Sequence, residues 1–266
     1  MTSKTASGSA KRHGPLWGAR AQDWAENERQ QTPTYEEAIR RAGITSGQRV
    51  LDLGCGSGAF LRLAADRGAG VFGLNASEAL IELARRRLPD ADLRVGDVQF
   101  LPYEDDFFDV VTGFNSFFFA DDMVAALREA GRVAKAGAPV VIQVWGRPER
   151  CDLTALKAAF AQFLPPPAPG APPPPSLWEP GVLEQIATEA GLTPECAFDV
   201  SWAYEYPDEP TLAQAMLAPG LVVEAILAAG EPPVRAAIVE ALQPYRTPSG
   251  SYRLENEWHY HIARAL

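Results

Sequence analysis

Cysteine, histidine and positive charge are all scarce in this chain. Its 266 residues hold three cysteines and three histidines. Cys55, Cys151 and Cys196 form no CxxC pair and share no ligand spacing with histidine, which argues against a disulfide framework and a structural zinc site. No metal is expected, and a reducing, cytoplasmic compartment fits. Basic residues number 24 against 34 acidic ones, a net charge of −10, which disfavours binding to a phosphate backbone. No run approaches the roughly 18 apolar residues of a membrane span. The opening MTSKTASGSAKRHG has basic residues but lacks the apolar stretch of an export signal. Neither nucleic acid nor a membrane is therefore an expected partner.

What is present is an ordinary globular balance, 47% hydrophobic and 22% charged. Residues 1–14 are polar and without apolar periodicity, and are predicted to be a flexible tail. A helical arm is expected over 15–44, interrupted at Pro33. Thr34 and Glu37 are spaced as a capping box for its second helix, which stops near Gly43. From residue 45 to 266 one domain is expected. Short apolar runs (RVLDLG, VFGLN, DLRVGD, FFDVVTGF, APVVIQVW) alternate with amphipathic stretches long enough for helices, which describes a parallel sheet covered on both faces, an α/β fold.

Eight prolines crowd residues 165–175, so the stretch 164–176 is predicted to be a stiff loop without helix. The run CAFDVSWAYEY then resumes the sheet, and SYRLENEWHYHIARAL alternates as a last strand. Between them, residues 208–246 carry an apolar stripe at Val234, Ala237, Ile238, Ala241 and Leu242, a helical insertion that suits a cap over a pocket, a dimer surface or plain core packing.

The informative segment is VLDLGCGSG, Val50 to Gly58, where an apolar strand runs into three glycines and then a helix. Glycine at 54, 56 and 58 permits a tight turn and close backbone approach to a ligand at the C-terminal edge of the sheet. A dinucleotide fingerprint would read GxGxxG; GxGxG tells against it.

The segment VLDLGCGSG is followed by GLNASEALIELAR, by Gly96-Asp97 with LPYEDDFFDVVTGF, and by EAGRVAKAGAPVVIQVW. In this order and separation, over residues 45–146, the chain resembles the class I S-adenosylmethionine-dependent methyltransferases, in particular the quinone-biosynthesis group. The resemblance implies a Rossmann-like, seven-stranded, mostly parallel sheet with helices on both faces and S-adenosylmethionine as cofactor. It implies that Gly54, Cys55, Gly56 and Gly58 pass beneath the methionine part, with Asp52 organising the loop or reaching the amino group. Asp97 would accept from the adenine amine and the Val98 amide would meet the ring. Phe114 and Asn115 would lie by the sulfonium. Asn75, with Ala76 after it, stands where the family usually has an acidic residue accepting both ribose hydroxyls. An amide offers one acceptor and one donor, so weakened cofactor binding is expected. In the arm, Arg20 could meet the methionine carboxylate and Trp17 the sulfonium, although Trp17 and Trp24 suit helix packing equally well.

Methyl transfer from a sulfonium needs alignment, and a general base only where the acceptor must lose a proton. His259 and His261 share one face of the last strand and, with Tyr35, are the candidates for that base. Phe114, Phe117, Phe118 and Phe119 follow the fourth strand, which suits a small aromatic or apolar acceptor. A monomer or homodimer is expected. Two other readings stay open: a non-methylating use of the bound cofactor, as in isomerisation or cyclisation, and a non-catalytic nucleotide-binding regulator.

Overall fold

The β-branched runs become the middle of a sheet because their side chains are apolar on both sides, so each strand is buried above and below. A computed structural model describes residues 8–166 and 174–266. Its elements are α1 Ser9–Gly18, α2 Ala21–Asn27, α3 Thr32–Ala42, β1 Arg49–Leu53, α4 Ala59–Asp66, β2 Gly70–Asn75, α5 Glu78–Arg87, β3 Asp92–Val95 and β4 Val110–Phe114. They continue with α6 Met123–Val133, β5 Pro139–Trp145, α7 Thr154–Ala161, α8 Val182–Glu189, β6 Thr193–Tyr206, α9 Glu209–Met216, α10 Gly220–Ala229, α11 Glu231–Leu242 and β7 Tyr252–Arg264. Short 3-10 turns cover Glu28–Gln31 and Phe117–Phe119.

The seven strands run β3-β2-β1-β4-β5-β7-β6, parallel from β3 to β5, with β7 antiparallel to both β5 and β6. β1 is central, with Asp52 opposite Gly73 on one side and Thr112 on the other. Successive residues point to opposite faces. Val50, Val110 and Val141 join a core beneath α3, α4 and the insertion, whereas Leu51, Val111, Val140 and Ile142 join a second core beneath α6 and α8. The expected Rossmann-like α/β sheet with an insertion between its last two strands is what forms. No single helix among the described residues is long and apolar enough to cross a membrane.

Two local expectations need correction, and one alternative left open is decided. Residues 9–14, expected in a tail, belong to α1, with Ser9, Ala10 and Gly14 buried. Small side chains bury by close approach and leave no apolar signature. The Thr34–Glu37 capping box does not form: α3 begins at Thr32 with Pro33 in its first turn, where the missing N–H has no helical partner to lose. Thr34 Oγ1 donates to the Gln31 carbonyl (2.9 Å), and Glu37 pairs with Arg40 and Arg41. Of the readings open for the stripe on α11, core packing is the one found: Val234, Ile238 and Leu242 are fully buried, with Ala241 packed against the same core. Of the proline-rich stretch, residues 167–173 lie outside the described residues; its described flanks form no regular element.

Candidate functional site

At the C-terminal edge of the sheet, β1 ends in a turn that only glycine adopts without strain. Gly54, Gly56 and Gly58 have φ of +79°, +55° and +82°. The Gly54 and Cys55 amides donate to the Leu74 carbonyl at 2.7 and 3.2 Å, tying the loop to β2. A Cβ on Gly54 would overlap Ser116, and one on Gly56 would overlap Glu28 Oε1.

Two buried carboxylates meet this loop. Asp52 accepts from Thr112 Oγ1 at 2.8 Å. Burial holds its carboxyl well above the usual range and the charge of Glu28 adds to this, while the Thr112 bond opposes. Glu28, on the turn after α2, accepts from the Ser57 amide at 3.2 Å and from the Ser57 hydroxyl, with Arg87 Nη1 at 4.0 Å. Burial pushes its carboxyl up to about 7 against the pull of Ser57 and Arg87. Nothing in the local sequence singles Glu28 out from the polar run around it; its role depends on Ser57, 29 positions later.

The arm lies along the rest of the edge. Ser9 Oγ and the Ala10 amide donate to Asp97 Oδ2 at 3.0 and 3.1 Å, and the Gln99 amide donates to Oδ1 at 2.9 Å. Gly14 on α1 lets the helix rest on the Ala76 carbonyl, where a Cβ would overlap it. Asn75 is buried and spends its Oδ1 on the Ser77 amide (2.8 Å), which leaves its NH₂ as a donor. Between α1 and the start of α5 is an open cleft of about 400 Å³, lined by Gly14, Gly18, Ala76, Ser77 and Val95 among others. Val98 is half-buried against the second core.

After β4, Asn115 takes a left-handed backbone (φ +50°), unusual for a side-chain-bearing residue. Its Oδ1 and the neighbouring Ser116 Oγ are buried without a hydrogen-bond partner among the described residues. Buried polar atoms are nearly always paired, so this pair suits a polar ligand. Phe114 turns into the core against Tyr35 (4.8 Å) and Phe60 (4.6 Å), and Phe117 is buried in the second core. Phe119 instead faces the arm, 5.7 Å from Trp17, which also packs on Trp24 at 4.7 Å.

Several expected site residues stand elsewhere. Arg20 pairs with Glu231 and with Asp23 (3.5 Å), so its guanidinium is engaged on the insertion. His259 and His261 share a face as expected, but it is the α8 face; Tyr260, between them, points into the arm-side core, donating to the Thr34 carbonyl at 3.0 Å. His259 Nδ1 pairs with Asp199 at 2.7 Å, and His261 is buried 4.0 Å from Glu184 with its pKa lowered by burial. Tyr35 is buried, and burial with the nearby Glu28 and Asp52 charges raises its hydroxyl well above 10. Burial also pushes the Cys55 thiol up, the opposite of what a nucleophile needs.

Residues 51–142, from the glycine-loop strand through β5, match the family model of a methyltransferase domain. The chain resembles the class I S-adenosylmethionine-dependent methyltransferases. The demethylmenaquinone methyltransferase of Renibacterium salmoninarum is 36% identical over 126 residues, 47% of this chain and 52% of that one. The (+)-O-methylkolavelool synthase of Herpetosiphon aurantiacus is 31% identical over 137 residues, 49% of this chain and 48% of that one. The chain therefore spans about half the length of the curated relatives it matches. The fold likeness reaches further. The methyltransferase solved with the Haloferax volcanii Trm112 activator superposes with a TM-score of 0.60 at 22% identity, covering 96% of this chain and 97% of that one. The [4+2]-cyclase SpnF gives 0.56 at 20% identity, covering 87% and 79%.

Proposed function

We propose that this protein is an S-adenosylmethionine-dependent methyltransferase acting on a small aromatic or apolar metabolite. The observation that carries the reading is the glycine turn of 54–58 beside the buried Asp52 carboxylate, facing the unpartnered Asn115 and Ser116. A buried carboxyl whose ionisation a nearby cation would favour, together with orphaned polar atoms, suits a cationic, hydrogen-bonding ligand. When bound, S-adenosylmethionine supplies a methyl group already activated on a sulfonium.

The chain's own residues then have positional tasks. Gly54, Cys55, Gly56 and Gly58 allow close approach beneath the methionine part, and Asp52 accepts from its amino group. Asp97 accepts from the adenine amine: both its oxygens already receive protein donors, but a carboxylate has about four acceptor sites. The Val98 amide meets the ring, and Asn75 with Ala76 borders the ribose. Asn115 and Ser116 face the sulfonium end. Trp17 and Phe119, in edge contact, offer an apolar wall that excludes water and suits an aromatic acceptor. None of the three proton-acceptor candidates fits that role: His259 and His261 are on the α8 face, and Tyr35 stays protonated. An acceptor that needs no strong base, or brings an acidic proton of its own, suits this site.

The test is calorimetric titration with S-adenosylmethionine and with S-adenosylhomocysteine, followed by an acceptor screen read as formation of S-adenosylhomocysteine. Micromolar binding of both with turnover supports the proposal. Binding without turnover of any acceptor favours a non-methylating or regulatory role, and absence of binding overturns the reading.

A further inference from the structure

We propose that Glu28, carried on the N-terminal arm, is a cofactor-binding residue whose Oε1 accepts a hydrogen bond from the α-ammonium group of S-adenosylmethionine, working with Asp52. The inference rests on the reading of the site as an S-adenosylmethionine site and adds a ligand group from outside the sheet.

Position is the first argument. A Cβ built on Gly56 would overlap Glu28 Oε1, so this oxygen stands directly over the second glycine, above the part of the loop assigned to the methionine end. Orientation is the second. Oε2 is held by the Ser57 amide at 3.2 Å and by the Ser57 hydroxyl, which in turn accepts from Arg87 Nη1 at 2.9 Å. The carboxylate is thereby fixed through one oxygen with the other directed at the loop, a preorganised acceptor. Charge is the third. Glu28 is only 5% exposed and Asp52 3%, and the charge of Glu28 raises the cost of ionising Asp52. The cation near Glu28 is Arg87, at 4.0 Å, beyond hydrogen-bond reach, while Asp52 is held by a neutral hydroxyl. A bound ammonium would favour ionisation of both buried carboxyls, adding a second cation to the Arg87 guanidinium 4.0 Å from Glu28.

The chemistry of the cofactor makes the assignment specific. Its α-ammonium offers three donors, enough for Asp52, a backbone carbonyl and one further carboxylate. The assignment also links the arm to ligation: Glu28 lies between α2 and α3, so its engagement holds α1 and α2 down over the cofactor.

The experiment compares wild type with Glu28→Gln, which keeps the size and an acceptor for Ser57 but removes the charge. Three probes are titrated: S-adenosylmethionine, S-adenosylhomocysteine and 5′-methylthioadenosine, which retains the adenosine and sulfur but has no amino-acid end. The expected result is that Glu28→Gln weakens the first two by about ten- to hundredfold, the usual worth of a hydrogen bond to a charged group, and leaves the third unchanged. Unchanged 5′-methylthioadenosine binding also reports an intact fold. Equal or tighter S-adenosylmethionine binding by the variant overturns the inference, since Glu28 would then only fill the empty loop. Parallel weakening of all three probes overturns it as well, placing Glu28's effect on the loop itself. Failure of the wild type to bind S-adenosylmethionine removes the functional reading and the inference with it, a result separate from any property of the variant.

Discussion

Replacing Glu28 by glutamine should stabilise the ligand-free protein at alkaline pH. The carboxyl sits at about 7 in the fold against an ordinary value of 4.5, mainly because it is buried. An acid whose pKa is raised by folding contributes stability that is complete below its unfolded pKa and is lost as pH climbs through the folded one. At about 1.4 kcal/mol per pH unit, the ionised carboxylate costs the fold about 3 kcal/mol once pH passes 7. The groups that bear on it are Ser57 and Arg87, which lower the cost, with Asp52, Tyr35 and Tyr204 sharing its electrostatic surroundings. Part of the gain in the variant will be expressed at Asp52, whose carboxyl is raised by Glu28's charge after burial. Urea unfolding of both proteins at pH 5 and pH 8, without ligand, measures this. The wild type should lose about 2.5 kcal/mol relative to Glu28→Gln between the two conditions, the rest having been lost below pH 5. If both lose the same amount, Glu28 is not the buried, poorly compensated acid described here.

The same carboxyl predicts that S-adenosylmethionine affinity rises from pH 6 to pH 8 with release of a proton, because an ammonium partner favours the ionised form; titration in buffers of different ionisation heat would detect it, and proton uptake would contradict it. Gly56→Val should abolish cofactor binding, since the residue has φ +55° and its new side chain would strike Glu28. Unchanged affinity in a folded variant would mean that the ligand does not cross this loop. Asn75→Asp should tighten S-adenosylmethionine binding by about tenfold, because one carboxylate oxygen can keep the Ser77 amide while the other is free to accept; a weaker complex would point to a ligand adapted to the amide. His259→Ala and His261→Ala should lower the melting temperature and leave turnover unchanged, since both rings lie on the α8 face. Loss of turnover in either would return the last strand to the chemistry.

Where the signal is local, the sequence was enough. VLDLG is continuous apolar chain ending in glycine, so it had to be a strand covered on both sides, and Gly43 ends α3 in the left-handed conformation its position implied. The helical insertion between the last strands was equally legible from periodicity. Period-2 alternation also put His259 and His261 together, but alternation carries no information on which face meets the site. The arm was the hardest part. Its seat is made by residues with almost no side chain, such as Gly14 and Ala10, and by a glutamate whose partner is far along the chain. Arg20 misled for the opposite reason: a cation in the arm looked available for a carboxylate ligand, and Glu231 from the insertion takes it.

The arm's anchors at its C-terminal half have a consequence for the order of folding. Tyr206 donates to Asn27, the Gln30 amide to the Glu205 carbonyl, and Tyr260 to the Thr34 carbonyl, across sequence separations of 179, 175 and 226 residues. Such contacts close very long loops, and they form only after the last two strands have paired. The C-terminal half of the arm, which precedes the sheet in the chain, is thus among the last segments to be fastened. Glu28's own partners, Ser57 and Arg87, precede β6 in the chain, so its contact with the glycine loop can form while Asn27, Gln30 and Thr34 still await theirs. The binding surface is therefore laid down by the first half of the sheet, and strands β6 and β7 then fasten the arm over it.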